Sequence, residues 1–136
     1  MAIQLSKDSI DLGIVTSDGE AALKFYRDTL GLEHVADTPF PMGGTMHRLM
    51  CGTSLIKIVV PTDAPPNKPA GGPIAHATGF RYWTMIVSNL SEIMTKVGNA
   101  GYKFSVPETE IRPGVKIGIV EDPDGNLVEF VQMEEQ

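Results

Sequence analysis

The sequence predicts an α+β fold in which one supersecondary unit is used twice. Three observations carry this. A strand–helix–three-strand pattern runs through the first half and begins again near residue 79. The two runs share a register: Val15-Thr16-Ser17-Asp18 matches Ile86-Val87-Ser88-Asn89 at an offset of 71, Leu30-Gly31-Leu32 matches Ala100-Gly101-Tyr102 at 70, and Leu55-Ile56-Lys57-Ile58 matches Leu127-Val128-Glu129-Phe130 at 72. A proline- and glycine-rich stretch separates the runs. The drift in offset is the size that loop-length changes would produce.

Ser9 to Val15 reads as the first strand. Asp18 is an N-cap residue, Leu23, Tyr26 and Leu30 fall at helical spacing, and Gly31 stops the helix. Strands follow over 33–36, 46–51 and 55–60, with Gly43-Gly44 and Gly52 as turns. Pro61 to Thr78 holds five prolines and Gly71-Gly72 and reads as a linker. The second copy begins with a strand over 82–87. Asn89 and Glu92 have capping-box spacing ahead of Ile93, Val97 and Ala100, and Gly101 ends that helix. Strands over 103–106, 115–120 and 127–131 complete the set. The predicted organisation is a single domain over 1–136, with module one about 8–61, a linker about 62–78 and module two about 79–132.

Composition narrows the function. A chain of 136 residues, 42% hydrophobic and 21% charged, is long and apolar enough for a globular core. The net charge is -6 and no basic run occurs, so nucleic acid is not expected as a partner. Cys51 is the sole cysteine, which rules out an intramolecular disulfide and suits a reducing compartment. MAIQLSKDSID lacks a signal-peptide core, and no apolar run approaches the roughly 18 residues of a membrane span. No membrane partner and a cytoplasmic location are the resulting expectations.

Strand alternation sorts the side chains into two kinds of face. Ile10, Leu12 and Ile14, then Ile56, Ile58 and Val60, and in the second copy Trp83, Met85 and Val87, then Val128 and Phe130, are uniformly apolar and should pack on the helices. The opposite faces are mixed: Asp11, Gly13, Val15; Leu55, Lys57, Val59; Tyr82, Thr84, Ile86; Leu127, Glu129, Val131. Polar groups among apolar neighbours are what a small-molecule site requires. Glu129 is the only charge in its strand, and an unpartnered carboxylate there would cost several kcal/mol or neutralise itself.

The double βαβββ repeat, FYRDTLGL at 25–32 and EDPDGNLVEF at 121–130 resemble the vicinal oxygen chelate superfamily over nearly the whole chain. That superfamily includes glyoxalase I, extradiol dioxygenases, methylmalonyl-CoA epimerase, fosfomycin-resistance enzymes and bleomycin-resistance proteins. The resemblance implies a cupped eight-stranded mixed sheet with helices on the outside and the mixed faces lining the cup. It also implies where metal-dependent members take their ligands: the first and last strand of each module, at His, Gln or Glu. Those positions here are Asp11, Lys57, Tyr82 and Glu129. Three depart from the family pattern, and an ammonium has no lone pair for a cation. No cofactor is therefore expected; if a divalent metal is present, Asp11 and Glu129 would hold it.

Three functions follow from the resemblance. The first is a metal-independent lyase or isomerase on a small oxygenated molecule, with Lys57 supplying the metal's charge, Glu129 or Asp11 as base and Tyr82 as hydrogen-bond donor or acid. The second is a metal-free binding or resistance protein of bleomycin-resistance type. The third is a divalent-metal enzyme of glyoxalase or dioxygenase type. Thr84, Arg112, His47 and His76 are candidate substrate-binding residues, and a homodimer is the expected assembly. Each residue also has a plainer reading. Lys57 and Glu129 can be an inert ion pair, Tyr82 a pocket wall, His34 and His47 ordinary strand residues, His76 an exposed loop residue, and Glu134 to Gln136 a solvated tail.

Overall fold

The computed structural model describes residues 1–134; Glu135 and Gln136, the end of the acidic tail, lie outside the described residues. The chain divides into two compact units, Met1–Pro66 and Asn67–Gln136, with the break inside the proline-rich stretch. The first holds β1 (Asp11–Val15), α1 (Gly19–Leu23) running on into a π-helical turn (Lys24–Thr29), β2 (Glu33–Pro39), β3 (Gly44–Cys51) and β4 (Ser54–Pro61). The second holds β5 (Tyr82–Ile86), α2 (Leu90–Asn99), β6 (Phe104–Arg112), β7 (Val115–Glu121) and β8 (Leu127–Met133).

This is an α+β fold of two βαβββ modules, its eight strands shared between two four-stranded mixed sheets. Their orders are β1-β4-β3-β2 and β5-β8-β7-β6. In each, the first strand pairs parallel with the last and the rest pair antiparallel. The apolar faces supply the cores, except at Ile10, which precedes β1 and is 70% exposed. Ile56 and Ile58 are buried under Ala22, Leu23, Phe25 and Tyr26, and Val128 and Phe130 belong to the core that Leu90, Met94 and Val97 complete. Each such side chain contributes about 1.5–3 kcal/mol by leaving water.

The offsets of the repeat have structural causes. The fall from 71 to 70 is one residue gained by module one between Asp18 and Leu30, and it lies in the helix rather than in a loop. There the Leu30 amide reaches back five residues to Phe25 at 2.9 Å, and the Thr29 hydroxyl five residues to Lys24 at 2.9 Å, so the extra residue widens one turn. The rise from 70 to 72 comes from one residue in a bulge between Val106 and Thr109 and one in the turn between Glu121 and Leu127.

The Asp18 carboxylate caps α1, accepting from the Ala21 amide at 3.0 Å. Asn89 makes no such bond; at α2 the Leu90 amide donates instead to Gln132 Oε1 at 2.8 Å, a partner from β8 that local spacing does not reveal. The predicted linker is partly tied down. Ile74–His76 form a 3₁₀ turn, and the Arg81 guanidinium donates to the carbonyls of Ala70, Gly71, Pro73 and Ile74 at 2.8–3.4 Å.

Candidate functional site

The mixed face of module one is cationic around one carboxylate. Gly13 of β1 and Arg48 of β3 flank Lys57 in the sheet register. Lys57 Nζ lies 3.8 Å from Asp11 Oδ2, while Lys7 Nζ donates to Asp11 Oδ1 at 2.6 Å. The Lys7 hydrogen bond is the main reason the Asp11 carboxyl titrates below its ordinary range; partial desolvation opposes it, and the Lys7, Lys57 and Arg48 charges add to it. Arg48 Nε donates to Thr38 Oγ1 at 3.2 Å, which fixes the root of the guanidinium on this face. Arg48 was not among the sequence candidates. Its signal is alternation, since it is one step from the buried Leu49 and so shares the face of Lys57.

The mixed face of module two carries an acceptor and no cation at the corresponding strands. Thr84 and Glu129 are register partners across β5 and β8, and Thr84 Oγ1 donates to Glu129 Oε1 at 2.7 Å. Glu129 is half-buried, so this bond aims a carboxylate whose second oxygen remains an acceptor. Tyr82 stands two residues from Thr84 on the same face, 48% exposed, and Ile86 is 68% exposed beyond it. The turn before β8 is built on Asp122. Its buried carboxylate accepts the amides of Asp124 and Asn126 and the Asn126 side chain, each at 2.9 Å.

His47 and His76 stand elsewhere, and Arg112 lies opposite Val115 at the far edge of the second mixed face. Arg112 is exposed at the end of β6, and His76 is exposed in the 3₁₀ turn. His47 faces the helix side of its sheet, opposite Asp37 in the register, and its Nδ1 lies 2.7 Å from Asp37 Oδ1. It shares no face with Lys57, its neighbour on β3 being Arg48. Burial pushes the Cys51 thiol up, away from the reactive thiolate.

The first- and last-strand positions of module one do not fit a divalent cation. One oxygen of Asp11 is bonded to the Lys7 ammonium, the other faces Lys57 at 3.8 Å, and Lys57 brings a positive charge to the ligand position itself. In module two, Glu129 offers one carboxylate and Tyr82 a weak ligand. The two faces instead offer a positive charge, in Lys57 and Arg48, and a positioned carboxylate, in Glu129.

Comparison with known proteins places these residues in a family. The model of the Glyoxalase/Bleomycin resistance protein/Dioxygenase superfamily matches residues 9–130. No curated protein matches the chain significantly. Among solved structures, a superfamily member from Sphaerobacter thermophilus DSM 20745 is 24% identical with a TM-score of 0.68, covering 93% of this chain and 97% of its own. Lactoylglutathione lyase from Agrobacterium tumefaciens is 23% identical with a TM-score of 0.63, covering 90% and 91%. The trypanothione-dependent glyoxalase I of Leishmania major is 18% identical with a TM-score of 0.69, covering 93% and 87%. These likenesses establish the fold, and the chain belongs to the Glyoxalase/Bleomycin resistance protein/Dioxygenase superfamily.

Proposed function

We propose that this member of the superfamily is a metal-independent lyase or isomerase acting on a small carbonyl compound that bears an anionic group. The observation that carries this is Lys57: an ammonium, anchored by Asp11, at a position where metal-dependent members place a ligand. The chemistry is proton transfer next to a carbonyl. The Glu129 carboxylate removes the proton from the carbon α to the carbonyl, and the electron pair of that C–H bond becomes the enolate. Lys57 stabilises the enolate oxygen. Collapse returns the proton to the same or the neighbouring carbon, or expels a β leaving group. Thr84 aims Glu129, Tyr82 donates to the substrate or returns the proton, and Arg48 takes the anionic group bidentately. The reading requires Lys57 and Glu129 to reach one substrate.

The test is deuterium uptake. In D2O, wild-type protein treated with a chelator should exchange the hydrogens α to the carbonyl in some members of a panel of 2-oxo and 3-oxo carboxylates, followed by proton NMR. Lys57→Ala should lower the rate about 10²–10³-fold, and Glu129→Gln about 10²–10⁴-fold. Activity that disappears on chelation, or that survives Lys57→Ala, would overturn the reading.

A binding protein without turnover is the second reading, and the exposed Val15, Tyr82 and Ile86 on the mixed faces favour it, because they offer apolar walls. Saturable binding without exchange or product would move the assignment there. Homodimer formation is carried with either reading and is checked by sedimentation at micromolar concentration.

A further inference from the structure

Three potential metal-ligating side chains meet on the helix-side face of module one, away from Lys57. His34 Nε2 and His47 Nδ1 lie 2.6 and 2.7 Å from the same oxygen of Asp37. One ligand atom from each of the three falls within 4.8 Å of the others. A β-bulge makes this possible. Residues three apart on a strand point to opposite faces; the extra residue at Val35 restores the phase, so His34 and Asp37 face the same side, and the register sets His47 opposite Asp37. The repeat supplies a contrast. The counterparts of His34 and His47 are Phe104 and Gly118, where module two packs Phe104 against Gly98 and Met94 against Gly118. Module one has exchanged an apolar contact for two imidazoles and a carboxylate.

We propose that His34, Asp37 and His47 form a binding site for one divalent transition-metal ion of the zinc class, separate from the site of the proposed function. Two imidazoles and one carboxylate are a borderline-soft set that suits zinc, cobalt and nickel. The half-buried histidines fix two ligands, and the exposed Asp37 leaves room for water on the outer side. The ion would take the place of the two N–H groups that now point at Asp37, and would bind β2 to β3 at the edge of the sheet.

Arg27 opposes it. Arg27 Nη1 lies 3.3 Å from His34 Nδ1, and a guanidinium can only donate. The His34 lone pair therefore sits on Nδ1 and its proton on Nε2. A metal on Nε2 moves that proton to Nδ1, where it meets the Arg27 donor. Binding must release Arg27, which keeps its two bonds to Asp28 at 2.8 and 3.3 Å.

Titration of the full chain with cobalt(II) and zinc(II), read by calorimetry, visible absorption and melting temperature, tests the site. The expected result is one equivalent bound and a raised melting temperature, with at least tenfold weaker binding in Asp37→Ala and in His47→Ala, and tighter binding in Arg27→Met. Asp37→Asn serves where the alanine variant does not fold. An absence of binding up to millimolar ion overturns the proposal. So does an equivalent that is unaffected by the Asp37 and His47 variants, or one lost only with Asp11 or Glu129. Loss of metal binding in Asp37→Ala with unchanged deuterium exchange separates this site from the proposed activity.

Discussion

The two modules solve the same packing problem from opposite sides. In module two the sheet yields: Gly118 of β7 lies under Met94, and a Cβ there would come within 2.5 Å of the Met94 sulfur. In module one the helix yields: Gly19 opens α1, and a Cβ there would come within 2.8 Å of Val60 and 3.5 Å of His47. A bare backbone on the helix leaves room on the sheet for a side chain at the position of Gly118, and module one has His47 there. The mixed faces differ as sharply. Module one presents Lys57 and Arg48 around Asp11, and module two presents Glu129 held by Thr84. The duplicated scaffold thus carries a cationic cluster on one sheet and a hydrogen-bonded carboxylate on the other.

The largest expected effect distinguishes the two hairpin turns. Gly44 has φ +119°, and an added Cβ would meet the Val60 carbonyl oxygen at 2.2 Å, all of it backbone that cannot move aside. In the second hairpin Gly114, the counterpart of the neighbouring Gly43, has φ +80° and faces only the flexible Glu134 side chain at 3.2 Å. Gly44→Ala should cost about 3–5 kcal/mol and Gly114→Ala about 1 kcal/mol, measured by urea denaturation. Equal costs would show that the turns are not held as described.

Next come the two close approaches between helix and sheet. Gly118→Ala and Gly19→Ala should each cost about 1–3 kcal/mol by overpacking. The Gly118 variant should be relieved by Met94→Ala, and the Gly19 variant by Val60→Ala. Failure of either double mutant to recover stability relative to the Met94 or Val60 variant alone would break the complementarity.

On the mixed faces, Thr84→Val keeps the shape and removes the donor to Glu129. A loss of about 1 kcal/mol, roughly fivefold in exchange rate, is expected. Asp11→Asn should have a smaller effect, because its contacts with Lys57 and Lys7 are solvent-exposed. The reverse order would move the base from Glu129 to Asp11.

The smallest effect is acid sensitivity. Asp11, through Lys7, and Asp37, through His47 and His34, both titrate below the ordinary value of 3.8, and both belong to module one. A folded carboxyl held below its unfolded value contributes stability that is complete above about that pH and disappears as pH falls through the folded value. Amide signals of β1–β4 should therefore broaden or shift before those of β5–β8 between about pH 4 and pH 2. Simultaneous loss in both modules would contradict this.

Much of the architecture was legible in the sequence because each module repeats the period-2 and 3.6-residue patterns, and a repeat provides an internal check on register. What escaped was set by partners distant in sequence. The cap of α2 comes from Gln132, 42 residues from Leu90. Arg81 carries no local signal of its role, yet its donors hold four carbonyls of the preceding loop. That Asp11 and Lys57 share a face was legible because alternation sets it, whereas the ion pair expected of Lys57 was with Glu129. The His34–Asp37–His47 cluster was not, because simple alternation places His34 and Asp37 on opposite faces, and only the bulge at Val35 reunites them.

The π turn in module one can also be read as angular slack. In a regular α-helix one added residue rotates everything beyond it by about 100° around the axis. The wide turn over Lys24–Thr29 absorbs that rotation, so Thr29 leaves it still facing the core and the Leu32 amide still closes on the Tyr26 carbonyl at 3.1 Å. Deleting the exposed Asp28 then removes slack rather than phase: the segment can contract to a regular helix while β2 keeps its register against β3. The same deletion in α2 has no slack to draw on and swings Val97, which is fully buried, off the sheet it covers.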